Sequence, residues 1–247
     1  MSLALLEEHR AVWASKSVLA DIYGVWFDAL LDDLPTASAV LEVGAGPGFL
    51  KERARTRRSG HRVFSSDLLA APWNDLAADA LRLPFRASCL GAVVGVDVLH
   101  HLARPALFFT EAARALSPGG TLAMVEPWVT PLSFPIYRWL HQEGCRLDLD
   151  PWNPFDAGPA KDAFQGDAAV VFNMVRGTGA ARWRDLGFEP PRLRLLNAFA
   201  YLLSLGFKQG SLLPRPAVPW LLRLDRTLEP LARWLGVRAL VVWERCA

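Results

Sequence analysis

The chain has 247 residues, 52% of them hydrophobic, enough for one large α/β domain with insertions. Its formal net charge of +2 excludes a global electrostatic drive toward nucleic acid or anionic lipid, so no nucleic-acid partner is expected. Cys89, Cys145 and Cys246 are too scattered for a disulfide framework or a metal-ligand spacing. A reducing, cytoplasmic compartment and no metal are therefore expected.

The first ten residues carry acidic side chains where a secretion signal needs a basic start. Leu19, Ile22, Tyr23, Trp26, Phe27, Leu30 and Leu31 repeat at helical spacing, so an N-terminal helical segment occupies residues 1–36 and ends near Pro35. The period then changes. Residues 38–44 form a short apolar run closed by glycine and read as a buried strand, followed by a helix from about Gly48. Lys51, Arg53, Arg55, Arg57, Arg58 and Arg62 read as the solvated face of that helix. Strand-like runs recur at 61–66, 92–97, 121–126, 192–198 and 239–243, with a helical pattern at 105–116. This alternation predicts a mostly parallel sheet with helices on both faces.

Residues 127–178 and 199–236 fit no clear period and read as two insertions into a single domain spanning 1–247. The first contains Phe134, Tyr137, Trp139, Trp152, Phe155, Phe164 and Phe172, which suit either a substrate wall or the insertion's own core. The second places Leu221, Leu224, Leu228 and Leu231 at helical spacing beside Arg223, Arg226 and Arg233. The longest apolar stretch, near 195–207, is too short to span a membrane, which leaves peripheral lipid contact as the only membrane option.

The run Glu42-Val43-Gly44-Ala45-Gly46-Pro47-Gly48 joins the first strand to the first helix, where glycine lets backbone approach a ligand closely. A dinucleotide fingerprint would need glycine at position 49, which is Phe49, so an NAD-dependent oxidoreductase is disfavoured. Asp67 closes the next strand and can accept hydrogen bonds from both hydroxyls of a ribose. Asp79-Ala80 offers an acceptor for an adenine amino group.

This loop resembles the first motif of class I S-adenosylmethionine (SAM)-dependent methyltransferases. The runs Asp79 to Phe85, Asp97 to Leu102 and Glu111 to Gly120 are similar to that family too, in its ubiquinone/menaquinone-biosynthesis-like branch. The match runs from about residue 38 to 127. It implies a Rossmann-like, seven-stranded, mostly parallel sheet, with 38–127 as the cofactor-binding core and the two insertions as a substrate cap. It implies SAM as cofactor, with Gly44, Ala45, Gly46 and Gly48 around its methionine part and Glu42 beneath the loop. Asp67 would hold the ribose, Leu68 would border the adenine, and Asp79 and Ala80 would hold the adenine edge. Asp97 and Val98 would lie under the sulfonium. This sequence departs from the family between Asp67 and Asp79, where Pro72 and a short spacing require a loop in place of a helix and leave Leu68 and Trp73 as adenine walls.

Methyl transfer needs alignment and exclusion of water, with a general base where the nucleophile is a hydroxyl. His100 and His101 stand just past a strand end. A helix starting at Asp97 would favour His101, with His100 as the alternative. Glu126, closing the 121–126 strand, is a second candidate acid or base. The expected function is methylation, O-directed, of a small apolar or aromatic molecule. A non-catalytic SAM-binding regulator or subunit is the alternative, and the oligomeric state is left open.

Overall fold

The computed structural model describes residues 2–35, 38–57, 59–141, 143–155, 165–208 and 210–247. Two helices, α1 (Leu3–Ser15) and α2 (Val18–Asp32), precede the first strand. The sheet then builds through β1 (Ala39–Glu42), α3 (Phe49–Arg57), β2 (Arg62–Asp67), β3 (Leu76–Ala77), β4 (Leu90–Val96), α4 (Pro105–Ala115) and β5 (Leu116–Pro127). Beyond it lie α5 (Ser133–Pro135), α6 (Val170–Gly177), α7 (Ala180–Asp185), β6 (Arg192–Leu196), α8 (Phe199–Ser204), α9 (Val218–Thr227), α10 (Ala232–Leu235) and β7 (Arg238–Glu244). The strands form one seven-stranded sheet in the order β3-β2-β1-β4-β5-β7-β6. All neighbours are parallel except β7, which runs antiparallel to both β5 and β6.

Strand periodicity divides the core into two faces. Val40, Ala92, Val94, Ala123, Val125, Leu240 and Val242 pack with α2 and its Leu19, Ile22, Trp26 and Leu30. Their immediate neighbours Leu41, Val93, Leu122, Met124, Val241 and Trp243 point the other way, onto Phe108 and Phe109 of α4 and onto Trp183. Strand order reverses between β1 and β4, and ligands of open α/β sheets sit at that switch point, beyond the carboxyl ends of the strands. The glycine loop leaves β1 there.

Several expectations are met and several corrected. The predicted N-terminal helical segment is two helices: α2 carries the predicted apolar repeat, and α1 precedes it with a weaker amphipathic pattern. Between β2 and β3 there is no helix: β3 pairs with β2 after a short loop, as the Pro72 spacing requires. The arginines of α3 are a solvated face only in part: Arg55 and Arg57 are exposed, but Arg53 and Arg57 also pair with α2. Arg53 donates to both carboxylate oxygens of Asp28 at 2.8 and 2.7 Å, and Arg57 reaches Asp32 at 2.6 Å, so the helix is fastened to α2 by its charges. Arg58 lies outside the described residues. The leucine stripe of the second insertion faces outward at Leu224 and Leu231, while Val218 and Asp225 form the buried side of α9. Among the described residues, no helix is long and apolar enough to cross a membrane.

Phe109 is fully buried, with the rings of Trp152, Trp183, Phe188 and Trp243 centred 5.1 to 5.9 Å away. Phe109→Ala leaves a cavity among rigid rings that cannot collapse into it. It is expected to lower stability by roughly 3–5 kcal/mol in a urea denaturation measurement.

Candidate functional site

Gly44, Gly46 and Gly48 take positive φ of 58°, 48° and 78°, which side-chain-bearing residues rarely adopt. A Cβ at Gly44 would fall 2.5 Å from Val98 Cγ2, so the loop presses directly on the chain leaving β4. Its backbone is pinned from several sides. Ala45 donates its N–H to Ser66 O at 2.8 Å, and Gly46 donates to Asp67 Oδ2 at 2.8 Å. The carbonyl of Gly46 accepts from Trp73 Nε1 at 2.8 Å and Asn74 Nδ2 at 3.2 Å. Above it, the Arg10 guanidinium donates to Pro47 O at 2.5 Å and lies over the Trp73 ring. Beneath the loop Glu42 is buried, and its Oε2 has no hydrogen-bond partner. Burial pushes its carboxyl up to about 8.

Asp67 is where the sequence places it, at the end of β2 beside the loop. Its oxygens are engaged by Gly46 N and, at 3.0 Å, by Leu69 N, and each carboxylate oxygen keeps a second lone pair for a ligand. Ala45 is buried under the loop, and Leu68 is largely exposed. Asp79 is exposed and accepts from Leu81 N at 2.8 Å, with Ala80 half-buried beside it. Trp73 is a clamp on the glycine loop more than an outer wall.

Asp97 has a φ of 57°, so the chain is not helical there. The premise that favoured His101 is therefore not met: a single 3₁₀ turn spans Leu99–His101 and carries both histidines. Asp97 instead pairs with Arg238, a buried cation at the start of β7 that stacks over Trp26 and Tyr201. Burial raises the Asp97 carboxyl, against the lowering pull of Arg238. The sequence signal for Arg238 was a lone charge heading an otherwise apolar strand.

Glu126 is fully buried. Its Oε1 accepts from the N–H groups of Val98 at 3.0 Å and Leu99 at 2.7 Å, and its Oε2 meets His100 Nδ1 at 2.5 Å. The other nitrogen of His100, Nε2, lies 3.1 Å from Glu143 Oε2, while Glu143 Oε1 lies 3.5 Å from His101 Nε2. His141 Nδ1 stands 3.9 Å from Glu143. Burial opposes a charge on His100, but Glu126 and Glu143 outweigh it and raise its pKa to about 10. Burial likewise raises Glu143, yet the hydrogen bond from His100 and the neighbouring histidines bring it down to about 2. Glu143 and His141 escaped the sequence reading, because nothing in the aperiodic insertion showed that it folds back onto residue 100.

It does so through a short strap. Gly144 bridges Asp167, Ala168 donates to Gly144 O at 2.9 Å, Arg146 pairs with Asp167 at 2.9 Å, and Asp167 donates its N–H to His100 O at 3.3 Å. Between this strap and α1 opens a cavity of about 680 Å³, lined among others by His9, Glu143, Arg146, Phe155 and Asp167. The aromatic wall is largely not there. Tyr137 is buried, Trp152 packs on Phe109 and Trp183, Phe172 packs on Trp128, and Trp139 is exposed. Phe134 packs against the insertion's own small cluster. Phe155 alone of the set lines the cavity, and Phe164 lies outside the described residues.

Residues 41–124 match the family model described as "Methyltransferase domain". A mouse protein (Mus musculus) named "Probable tRNA methyltransferase 9B" is 29% identical over 136 residues, half of this chain. The match covers only 28% of that relative's length. A SAM-dependent methyltransferase from Archaeoglobus fulgidus superposes with a TM-score of 0.54 at 14% identity, over 91% of this chain and 94% of that one. Geranyl diphosphate C-methyltransferase from Streptomyces coelicolor A3(2), solved with Mg2+, geranyl diphosphate and S-adenosyl-L-homocysteine, gives 0.54 at 16% identity, over 93% and 83%.

The loop fits SAM on its own geometry. The positive-φ glycines form a tight bare-backbone turn, with room beside Gly46 where the nearest atom to an added Cβ is Leu6 Cδ2 at 3.8 Å, and the orphaned Glu42 oxygen offers an unused acceptor beneath it. In the free protein Glu42 keeps its proton to about pH 8, whereas in the unfolded chain it releases it near 4.5. Through this group stability therefore falls as pH rises from about 4.5 to 8, since the unfolded state binds fewer protons across that window. Glu42→Gln is expected to remove this component. The difference in unfolding free energy between variant and wild type should grow in the variant's favour from pH 5 to pH 8, read by urea melts.

Proposed function

We propose that this chain, a member of the class I SAM-dependent methyltransferases with SAM as its cofactor, transfers the methyl group to an oxygen of a small molecule held in the cavity between α1 and the strap made by residues 143–146 and 165–168. The observation that carries this reading is the pinned, positive-φ glycine loop over an unpartnered carboxylate at the sheet's switch point. Bound SAM supplies an activated methyl group whose carbon–sulfur electron pair departs on sulfur.

The protein's own part is positioning. Asp67 and Trp73 hold the loop, and Val98 sets its distance from β4. Leu6 and Arg10 of α1 close over it and keep water from the reacting centre. On the acceptor side the cavity wall is mixed. His9, Glu143, Arg146 and Asp167 outnumber Leu5 and Phe155, which supports a polar, hydroxyl-bearing acceptor over the apolar or aromatic one expected from the insertion's aromatic residues. The acceptor's proton passes to His101 behind the Glu143 wall of the cavity, while His100, which holds its proton between Glu126 and Glu143, keeps Glu143 in place. Glu126, sealed from the cavity with both oxygens engaged, acts as a positioning residue for His100 and not as a proton carrier itself. The insertions supply the cap.

SAM or S-adenosylhomocysteine should raise the thermal midpoint through preferential binding to the native state, and NAD should not. The reverse pattern would reject the cofactor. With an acceptor in hand, His101→Ala and His100→Ala should each lower turnover by about 10²–10⁴-fold while leaving SAM affinity nearly intact. Loss of SAM affinity would place those residues against the cofactor instead.

A further inference from the structure

We propose that His100, His101 and Glu143 form a binding site for one divalent transition-metal ion of the Zn2+ class, behind the cavity wall at Glu143 and Gly166. Each of the three residues offers one donor atom, and those atoms all lie within 4.8 Å of one another. Glu143 oxygens stand 3.1 Å from His100 Nε2 and 3.5 Å from His101 Nε2. Ligand atoms about 2.0–2.2 Å from a tetrahedral Zn2+ are roughly 3.3 Å apart, so little movement separates this arrangement from a coordination shell. Imidazole donors suit Zn2+, Co2+ or Ni2+ and disfavour Mg2+ and Ca2+, which take oxygen shells.

The surroundings are those of a ligand set held in advance. His100 Nδ1 faces Glu126, leaving Nε2 for the ion, and a carboxylate on the second nitrogen is the arrangement that fixes the tautomer of metal-bound histidines. Glu126 is itself oriented by the N–H groups of Val98 and Leu99. Glu143 is delivered by the strap, whose Gly144 and Arg146 are tied to residues 167 and 168. Gly166 closes the strap over the imidazoles: a Cβ there would fall 2.8 Å from His101 Nδ1 and 2.9 Å from His100 Cδ2. Only glycine allows so close an approach. Glu143 and Gly166 both line the cavity, so an ion can enter from it.

Three protein donors leave a fourth position open, as in catalytic rather than structural zinc sites. That position takes an oxygen of the acceptor. The ion lowers the pKa of a coordinated hydroxyl, its proton leaves to water in the cavity, and the imidazoles serve as ligands in the loaded state. This use rests on the methyl-transfer reading above; the ion site does not.

The test uses the full chain after chelator treatment, titrated with Co2+ and followed by visible d–d absorption, and with Zn2+ by calorimetry. One equivalent of Co2+ should give the intense absorption of a low-coordinate site. Glu143→Gln and His101→Ala should each weaken Zn2+ binding by more than about 100-fold, and Glu126→Gln by about 10–100-fold, the usual range for an outer-shell partner. Circular dichroism checks that each variant is folded. A folded wild-type chain that shows no saturable Co2+ spectrum, or Zn2+ affinity unchanged in both ligand variants, overturns the site. Methyl transfer that persists at full rate without any bound ion would overturn the ion's part in the reaction and keep the proposed function. Ion binding without SAM binding would support the site and refute that function.

Discussion

The arrangement of the site depends on one buried carboxylate. Glu126 ends the apolar β5 strand, and its two oxygens organise the whole turn that follows β4. By accepting from Val98 and Leu99 it sets the path on which Val98 meets Gly44, and so the height of the glycine loop. By holding His100 it fixes the ring that faces Glu143, and the His100 carbonyl receives the strap through Asp167. A buried charge is costly unless paired and hydrogen-bonded, and Glu126 is both. Removing it would leave two backbone donors and an imidazole without their partner in a dry environment.

A second buried pair, Asp97 with Arg238, stands beside it across the ends of β4 and β7. Here too the charges are expensive to bury, and replacement by apolar residues is often neutral or stabilising in proteins generally. What the pair contributes is geometry. Asp97 holds a left-handed backbone conformation that aims the next residues away from the strand direction. Arg238 ties that turn to Trp26 and Tyr201, which belong to the helical layer covering the sheet. The reacting region is thus framed by charges whose partners come from different, sequence-distant elements. Helix α1 completes the frame by placing Arg10 on the loop carbonyl of Pro47.

The sheet and the glycine loop were legible in the sequence because both are written in local terms. Apolar runs of strand length, glycines at positions that need positive φ, and a proline that forbids the usual helix after Asp67 each act within a few residues. The positions of Asp67, His100, His101 and Glu126 followed, since strand ends in such a sheet converge on one edge. What the sequence could not decide was which of these groups meet. The choice between His100 and His101 turned on whether residue 97 begins a helix, and that depends on an ion pair to a residue 141 positions away. The inclusion of Glu143 depends on an aperiodic insertion folding back by a parallel bridge, and aperiodic segments carry no pattern from which a docking register can be read. The aromatic residues of that insertion were visible as a set, but the seating of Trp152 on Phe109 and Trp183 of the main core, and of Phe172 on Trp128, was decided by tertiary packing. Periodicity therefore determined the sheet, and the resemblance carried by the glycine loop and the later motifs determined the cofactor, because both are local in the chain. Only the tertiary structure decided that Glu143 meets His100 and His101, because those side chains are brought together from distant parts of the chain.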